Sequence, residues 1–207
     1  MTRTPNARLA GVTFLVYIAA GIAPMVRAPG VLVGVVLSLV LCFSALVLAV
    51  TLYAITREQD REIAMLAMAC RVSEGVLGAM FIPLRLALQS LGTAAVNGPD
   101  AAPAAALRAL LVSARGFNTM VGATLFAAGS LLFCWLLLRG QMIPVALAWL
   151  GVLASVLLVV GLPLQLAGLV SGPAATLMWL PMLAFEVPLA LWLLVKGVAT
   201  PVRRQSP

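Results

Sequence analysis

Three charged side chains lie within long apolar stretches of the sequence, and they are the first residues that could do chemistry. Arg71 and Glu74 stand three positions apart in one stretch, and Glu186 stands in another. Each such charge costs about 2.5–3.5 kcal/mol to insert into a bilayer, so it needs a partner or a function. Counted by helical rise from one membrane face, these residues and Tyr17 share a depth of roughly 12–16 Å. We therefore expect a buried charge cluster of Arg71, Glu74, Glu186 and Tyr17.

The charges of this cluster do not balance. One guanidinium faces two carboxylates, so the cluster is net negative unless a proton or an external cation completes it. Three interpretations stay open. Arg71 could bridge both acids and tie two helices together, the acids could form a proton- or cation-coupled site, or Glu74 and Glu186 could never meet.

A second polar group is expected near the opposite ends of the third, fourth and fifth apolar stretches. It contains two guanidiniums and three amides but no carboxylate, and arginine presents a planar fork of donors that suits an anion such as a lipid phosphate. Alternatively, both arginines extend to the lipid headgroups and form no site. The residues of this possible anion or lipid-headgroup site are Arg85, Gln89, Arg115, Asn118 and Gln165.

Few enzymatic mechanisms fit the sequence. The chain has no histidine, which excludes imidazole-activated nucleophiles, His-ligated haem and the histidine-containing metal motifs. Asp60 and Asp100 stand in loops, and an acid–base pair of Glu74 and Glu186 has no nucleophile or metal motif beside it. We therefore expect no metal and no cofactor, and catalysis is the least favoured function.

The elements that position these residues must be membrane helices, because 63% of the 207 residues are hydrophobic and only 9% are charged. Apolar runs of about 20 residues predict spanning helices, and the short connections leave no room for a soluble domain. The longest connection, Gly92–Ala106, is predicted to be a flexible loop, with a short interfacial helix possible at Ala104–Ala114. The sequence thus predicts an all-α polytopic bundle, one integral membrane domain over residues 1–207. Its six transmembrane helices are Leu9–Val26, Val31–Ile55, Ile63–Leu91, Phe117–Leu138, Pro144–Val170 and Ala174–Val195.

The basic residues predict the orientation. They are concentrated on one side of the predicted membrane, which by the positive-inside rule puts both termini in the cytoplasm. The net charge of +7 therefore reflects orientation, and no nucleic-acid partner is expected. One side carries Arg3, Arg8, Arg57, Arg61, Arg139, Lys196, Arg203 and Arg204, whereas the other carries Arg27, Arg108 and Arg115.

Three segments resemble a bacterial membrane family known as domain of unknown function 4386. They are ARLAG at 7–11, the run GATLFAAGSLLFCWLLLRGQMIPVALAWLGVLA at 122–154, and FEVPLALWLLVKGV at 185–198. The resemblance implies about six helices in the plasma membrane and supplies no function. It matches Glu186 to the acidic residue before the last ALWLLVKG pattern, and RVSE at 71–74 to an Arg/Glu stretch of the third helix. Many relatives have a histidine near the start of the fourth span, where this chain has RGFN at 115–118.

Together, these features predict a multi-pass protein of the bacterial inner membrane without an assigned function. The favoured interpretation is binding of a lipid or small molecule within the helix bundle, with membrane lipids as partners. Two alternatives stay open. One is a small proton- or cation-coupled transporter that uses Glu74 and Glu186, and the other is a structural or partner-binding membrane subunit without chemistry of its own.

Overall fold

The computed structural model describes residues 3–26, 30–94 and 101–200, and these residues contain α-helices and no β-strand. The all-α prediction is therefore confirmed. Six segments are long and apolar enough to cross a membrane, as predicted. The helices are α1 (Arg3–Val26), α2 (Val31–Thr56), α3 (Arg61–Ala94), α4 (Ala101–Arg139), α5 (Val145–Leu166), α6 (Pro173–Leu177) and α7 (Leu180–Val195).

The long helices form a closed ring. Each of α1 to α4 packs against the next helix in sequence, α5 packs against α7, and α7 packs back against α1. The end of the ring that contains the start of α1 and the end of α7 has two contacts between connecting segments and helix ends. The Ala199 N–H donates to the Met142 carbonyl at 3.0 Å, and Arg139 lies 3.8 Å from Asp60. We call this the terminal end and the other the distal end.

Close packing between α1 and α7 completes the ring. Gly11 lies so near α7 that a Cβ atom at this position would be 2.7 Å from the Ala190 carbonyl oxygen. Small residues let transmembrane helices approach this closely, and van der Waals contact between them is a main source of association in lipid. The interior of the ring is therefore enclosed on all sides by helices.

The connection between α3 and α4 is shorter than the sequence indicates. The predicted loop Gly92–Ala106 is wrong, because α3 continues to Ala94 and α4 begins at Ala101; residues 95–100 lie outside the described residues. The possible interfacial helix Ala104–Ala114 is part of α4. Alanine has the highest helix propensity, and a proline in the first helical turn removes no hydrogen bond.

The last two spans also differ in detail from the prediction. Helix α5 ends at Leu166, before the predicted Val170, because Gly168 has a left-handed φ of +77° that stops the helix. The predicted span Ala174–Val195 corresponds to a single spanning segment, Pro173–Val195, within which a turn at Met178 and Trp179 separates α6 from α7. Pro181 follows this break and cannot donate a hydrogen bond to the preceding turn. By helical rise the break lies about 24 Å from the terminal end of α7, at membrane depth.

Candidate functional site

Glu74 lies at the centre of a charged contact between α1 and α3. Its Oε2 atom is 2.7 Å from Nη1 of Arg71, one turn earlier in the same helix. Its Oε1 atom accepts a hydrogen bond of 2.6 Å from the Tyr17 hydroxyl of α1. Both carboxylate oxygens are therefore engaged, and the structure brings together three of the four residues expected in the charge cluster.

Arg71 is buried in the interior of the ring, with 1% of its surface exposed. Its guanidinium carbon lies 4.6 Å from the centre of the Phe126 ring and 5.3 Å from that of the Tyr17 ring. Such cation–π contacts stabilise a desolvated guanidinium by about 2 kcal/mol. Gly129 of α4 makes space for the side chain, since a Cβ atom there would be 3.0 Å from the Arg71 Cγ.

Glu186 of α7 is also buried, with 6% of its surface exposed, but it is not paired directly with Arg71. Within residues 3–26, 30–94 and 101–200, its carboxylate makes no ion pair or hydrogen bond. Glu186 and Arg71 instead border the same cavity of about 20 Å³, which we call the small cavity. Arg71 therefore does not bridge both acids by direct contact.

A larger cavity of about 300 Å³ lies between α2, α3 and α4, and we call it the large cavity. Glu74 and Tyr17 border one end of it, and Arg115 borders the other. Along α4 the cavity extends from Phe126 to Arg115, about 16 Å by helical rise. Its walls are mainly apolar and are formed by Leu41, Cys42, Ala45, Gly75, Leu77, Gly78, Phe81, Asn118, Thr119, Gly122, Ala123 and Trp179 in addition to those four residues.

Aromatic rings line the end of the large cavity near Glu74. The Tyr17 and Phe126 rings are nearly parallel, with centres 6.3 Å apart, and the Trp179 ring lies 6.1 Å from Phe126 at a tilt of 35°. Trp179 reaches the cavity from the break between α6 and α7. The break in the sixth span therefore contributes directly to the cavity wall.

The expected anion group is only partly brought together. Arg115 and Asn118 both border the large cavity, and the Asn118 amide donates to the Leu77 carbonyl at 3.3 Å. Arg85 does not join them, because its Nη1 donates to the Gly34 carbonyl of α2 at 3.1 Å. Arg85 therefore connects α3 to α2.

The two glutamines of that group lie elsewhere. Gln165 is near the end of α5, does not border the large cavity, and has a buried Oε1 with no hydrogen-bond partner among the described residues. Gln89 is exposed on the last turns of α3. The five residues predicted from the sequence thus do not form one site, and Arg115 is the guanidinium that remains at the cavity.

Sequence reasoning missed the aromatic wall and the glycine that makes space for Arg71. Phe126, Trp179 and Gly129 lie in apolar stretches, and their residue types do not distinguish them from the residues around them. A signal that could have found Trp179 is Pro181, since a proline at membrane depth indicates an interrupted helix and such helices line binding sites in many transporters.

Comparison with known proteins gives a family and no closer relative. The family described as "Domain of unknown function (DUF4386)" has a model that matches residues 9–197. No curated protein and no solved structure matches the chain. The matched range includes both cavities and all the charged residues that border them.

Proposed function

The chain belongs to the DUF4386 family, and from this premise we propose that it binds an amphipathic anion in the large cavity of its membrane bundle. The observation that carries the proposal is the combination of a mainly apolar wall with the guanidinium of Arg115, which has no charged partner among the described residues. In the proposed complex the anionic group pairs with Arg115, and the apolar body lies along α4 towards Phe126.

The charges around the cavity support an anionic head at Arg115. The Arg115 side chain makes no ion pair or hydrogen bond with the described residues. The one described carboxylate at the cavity is that of Glu74, which lies at the opposite end and is already compensated by Arg71. A phosphate or carboxylate at Arg115 therefore gains a bidentate partner without meeting a competing acid.

The dimensions favour a small or single-chain ligand. A volume of about 300 Å³ is at the lower end of the range for ligand pockets. Apolar walls with a few polar groups at the ends are typical of such pockets. A headgroup of a membrane lipid and a free amphiphile share the required chemistry, so both are candidate ligands.

We also propose that the protein lies in the inner membrane of a bacterium with its terminal end in the cytoplasm. The support is the concentration of basic residues at that end, including Arg57, Arg139 and Lys196. In this orientation Arg115 lies at the level of the outer headgroups, and an anionic lipid of the outer leaflet is the nearest source of ligand.

The test is ligand-dependent thermal stability in nanodiscs of phosphatidylcholine, with dodecyl phosphate as the anionic probe. A ligand at about 100 times its Kd stabilises by about 2.7 kcal/mol, which corresponds to a rise in Tm of roughly 5–11 °C for a chain of this size. Arg115→Gln should remove most of that rise. A second series with phosphatidylglycerol in the nanodisc distinguishes a membrane lipid from a free amphiphile.

Arg85→Gln is the matched control, since the same substitution there removes a contact with α2 and leaves the cavity unchanged. It should lower the starting Tm and keep the rise caused by dodecyl phosphate. Dodecanol, which has the same chain and no charge, should give little effect. An equal rise with dodecanol, or equal rises in both arginine variants, would contradict the proposal.

The break in the sixth span favours a second candidate function, proton-coupled movement of the same ligand. Interrupted helices at membrane depth accompany the binding sites of many secondary transporters, and the break at Trp179 borders the large cavity. Uptake of dodecyl phosphate into proteoliposomes should then depend on a proton gradient, and Glu186→Gln should remove that dependence. Equal uptake with and without the gradient would contradict proton coupling, and ligand binding would remain as the proposed function.

A further inference from the structure

The small cavity between Arg71 and Glu186 is the second unusual feature of the bundle interior. Besides these two charged side chains, Ser130 and Cys134 of α4 border it, and the rest of its wall is leucine and phenylalanine. Both charged residues are more than nine-tenths buried. The lining of this cavity therefore combines two charged side chains with a mainly apolar wall.

The guanidinium of Arg71 has hydrogen-bonding capacity that the described residues do not use. Its Nε, Nη1 and Nη2 atoms are buried, and none of them makes a hydrogen bond of full geometry to an acceptor among the described residues. The approach of 2.7 Å to Glu74 balances the charge but does not have hydrogen-bond geometry. Since arginine has five N–H donors and buried donors are nearly always bonded, these groups require an acceptor.

The carboxylate of Glu186 has the complementary requirement. It is an acceptor without a donor among the described residues, and it faces the same cavity as the guanidinium. Burial of an unpaired carboxylate is costly unless it is hydrogen-bonded. A molecule that accepts from Arg71 and donates to Glu186 would satisfy both side chains.

We propose that the small cavity is a binding site for a single water molecule that bridges Arg71 and Glu186. A volume of about 20 Å³ accommodates one water, which needs roughly 10–15 Å³ and two to four polar partners. The two charges exclude an ion, because Arg71 repels a cation and Glu186 repels an anion. Ser130 supplies a third polar neighbour.

The bridging water makes Arg71 the shared cation of two carboxylates. Arg71 contacts Glu74 directly within α3 and reaches Glu186 of α7 through the water, so the cluster is continuous from the large cavity to the seventh helix. Helices α3 and α7 are not adjacent in the ring. The water therefore joins two helices across the interior, independently of what the large cavity binds.

The proposal is tested by filling the small cavity without removing a charge. Ser130→Thr adds a methyl group and keeps the hydroxyl, which displaces the water and leaves Arg71 and Glu186 unbonded. We expect Tm to fall by about 3–6 °C. Ser73→Thr, the same change at an exposed position of α3, is the matched control and should leave Tm nearly unchanged.

The direction of the Tm change caused by Ser130→Thr distinguishes a bridging water from an empty cavity. If the cavity is a void, the added methyl group fills it and Tm stays constant or rises. In a Glu186→Leu background the water has lost its acceptor, so Ser130→Thr should no longer lower Tm. If Ser130→Thr lowers Tm equally in the wild type and in the Glu186→Leu variant, the proposal is overturned, because the loss then reflects overpacking alone.

A density map that resolves ordered water provides a test without substitutions. The expected result is a peak within about 2.7–3.2 Å of both an Arg71 nitrogen and a Glu186 oxygen. Ordered density for both side chains with no peak between them would overturn the proposal.

Discussion

Tyr17→Phe isolates the contact between α1 and α3, because it removes one hydroxyl group and keeps the ring. The hydroxyl donates to Glu74 at 2.6 Å, whereas the ring stacks on Phe126 and contacts the guanidinium of Arg71. The substitution therefore deletes one hydrogen bond and leaves the aromatic contacts in place.

The size of the effect follows from the charge and surroundings of Glu74. A hydrogen bond to a charged group contributes about 1.5–3 kcal/mol to stability. Glu74 borders the large cavity, so solvent there replaces part of the lost bond and favours the lower limit. A loss of about 1.5 kcal/mol in the free energy of unfolding corresponds to a fall in Tm of roughly 3–6 °C.

Thermal unfolding in nanodiscs measures this loss, and the chain offers a matched control. It has two tyrosines, and the hydroxyl of the other, Tyr53, makes no hydrogen bond to the described residues. Tyr53→Phe should therefore change Tm very little. In a double-mutant cycle, Tyr17→Phe should have almost no effect once Glu74→Leu has removed the acceptor.

Two outcomes would refute this reasoning. Equal falls in Tm for Tyr17→Phe and Tyr53→Phe would mean that the loss of any tyrosine hydroxyl lowers Tm, whether or not it bonds to Glu74. A full effect of Tyr17→Phe in the Glu74→Leu background would mean that the two side chains do not interact.

The remaining predictions concern the buried cation and the orientation of the chain. Arg71→Leu should destabilise by about 3–5 kcal/mol, since it leaves buried carboxylates without their cation, and adding Glu74→Leu or Glu186→Leu should restore part of the loss in the same melting assay. Additive losses would show that these charges are independent. Reporter fusions after Arg57 should be cytoplasmic and those at Asn97 external; a cytoplasmic reporter at Asn97 would contradict the proposed orientation.

Depth is the property of the buried charges that counting along the sequence addresses, because a spanning helix rises by a fixed distance per residue. Counting along two helices indicated that Tyr17 and Glu74 share a level, and the structure has a hydrogen bond between them. The three-residue spacing of Arg71 and Glu74 allows them to pair within one helix, as they do, but the count could not show that Glu186 makes no direct contact with Arg71. That difference depends on side-chain direction, which depth does not determine.

The rotation of each helix about its axis, which determines the direction of its side chains, was less predictable than their depth. Arg85 and Arg115 lie on neighbouring helices near the same end of the bundle, and the sequence predicted that they converge. Arg85 instead bonds to the carbonyl of Gly34, where the lack of a side chain leaves room for its guanidinium. Phe126 is buried and Trp179 borders the large cavity, but an apolar helix in an apolar solvent has no polar face to indicate either position.

Closure of the ring by α1 and α7 has a consequence for biogenesis. Among the described helices α7 is the last in sequence, so the ring closes only once α7 packs against both α5 and α1. Until then the gap left by α7 exposes the interior to lipid. A folding intermediate that ends before Pro173 therefore leaves Arg71 uncovered on the side where Phe185, Glu186 and Leu189 border the small cavity.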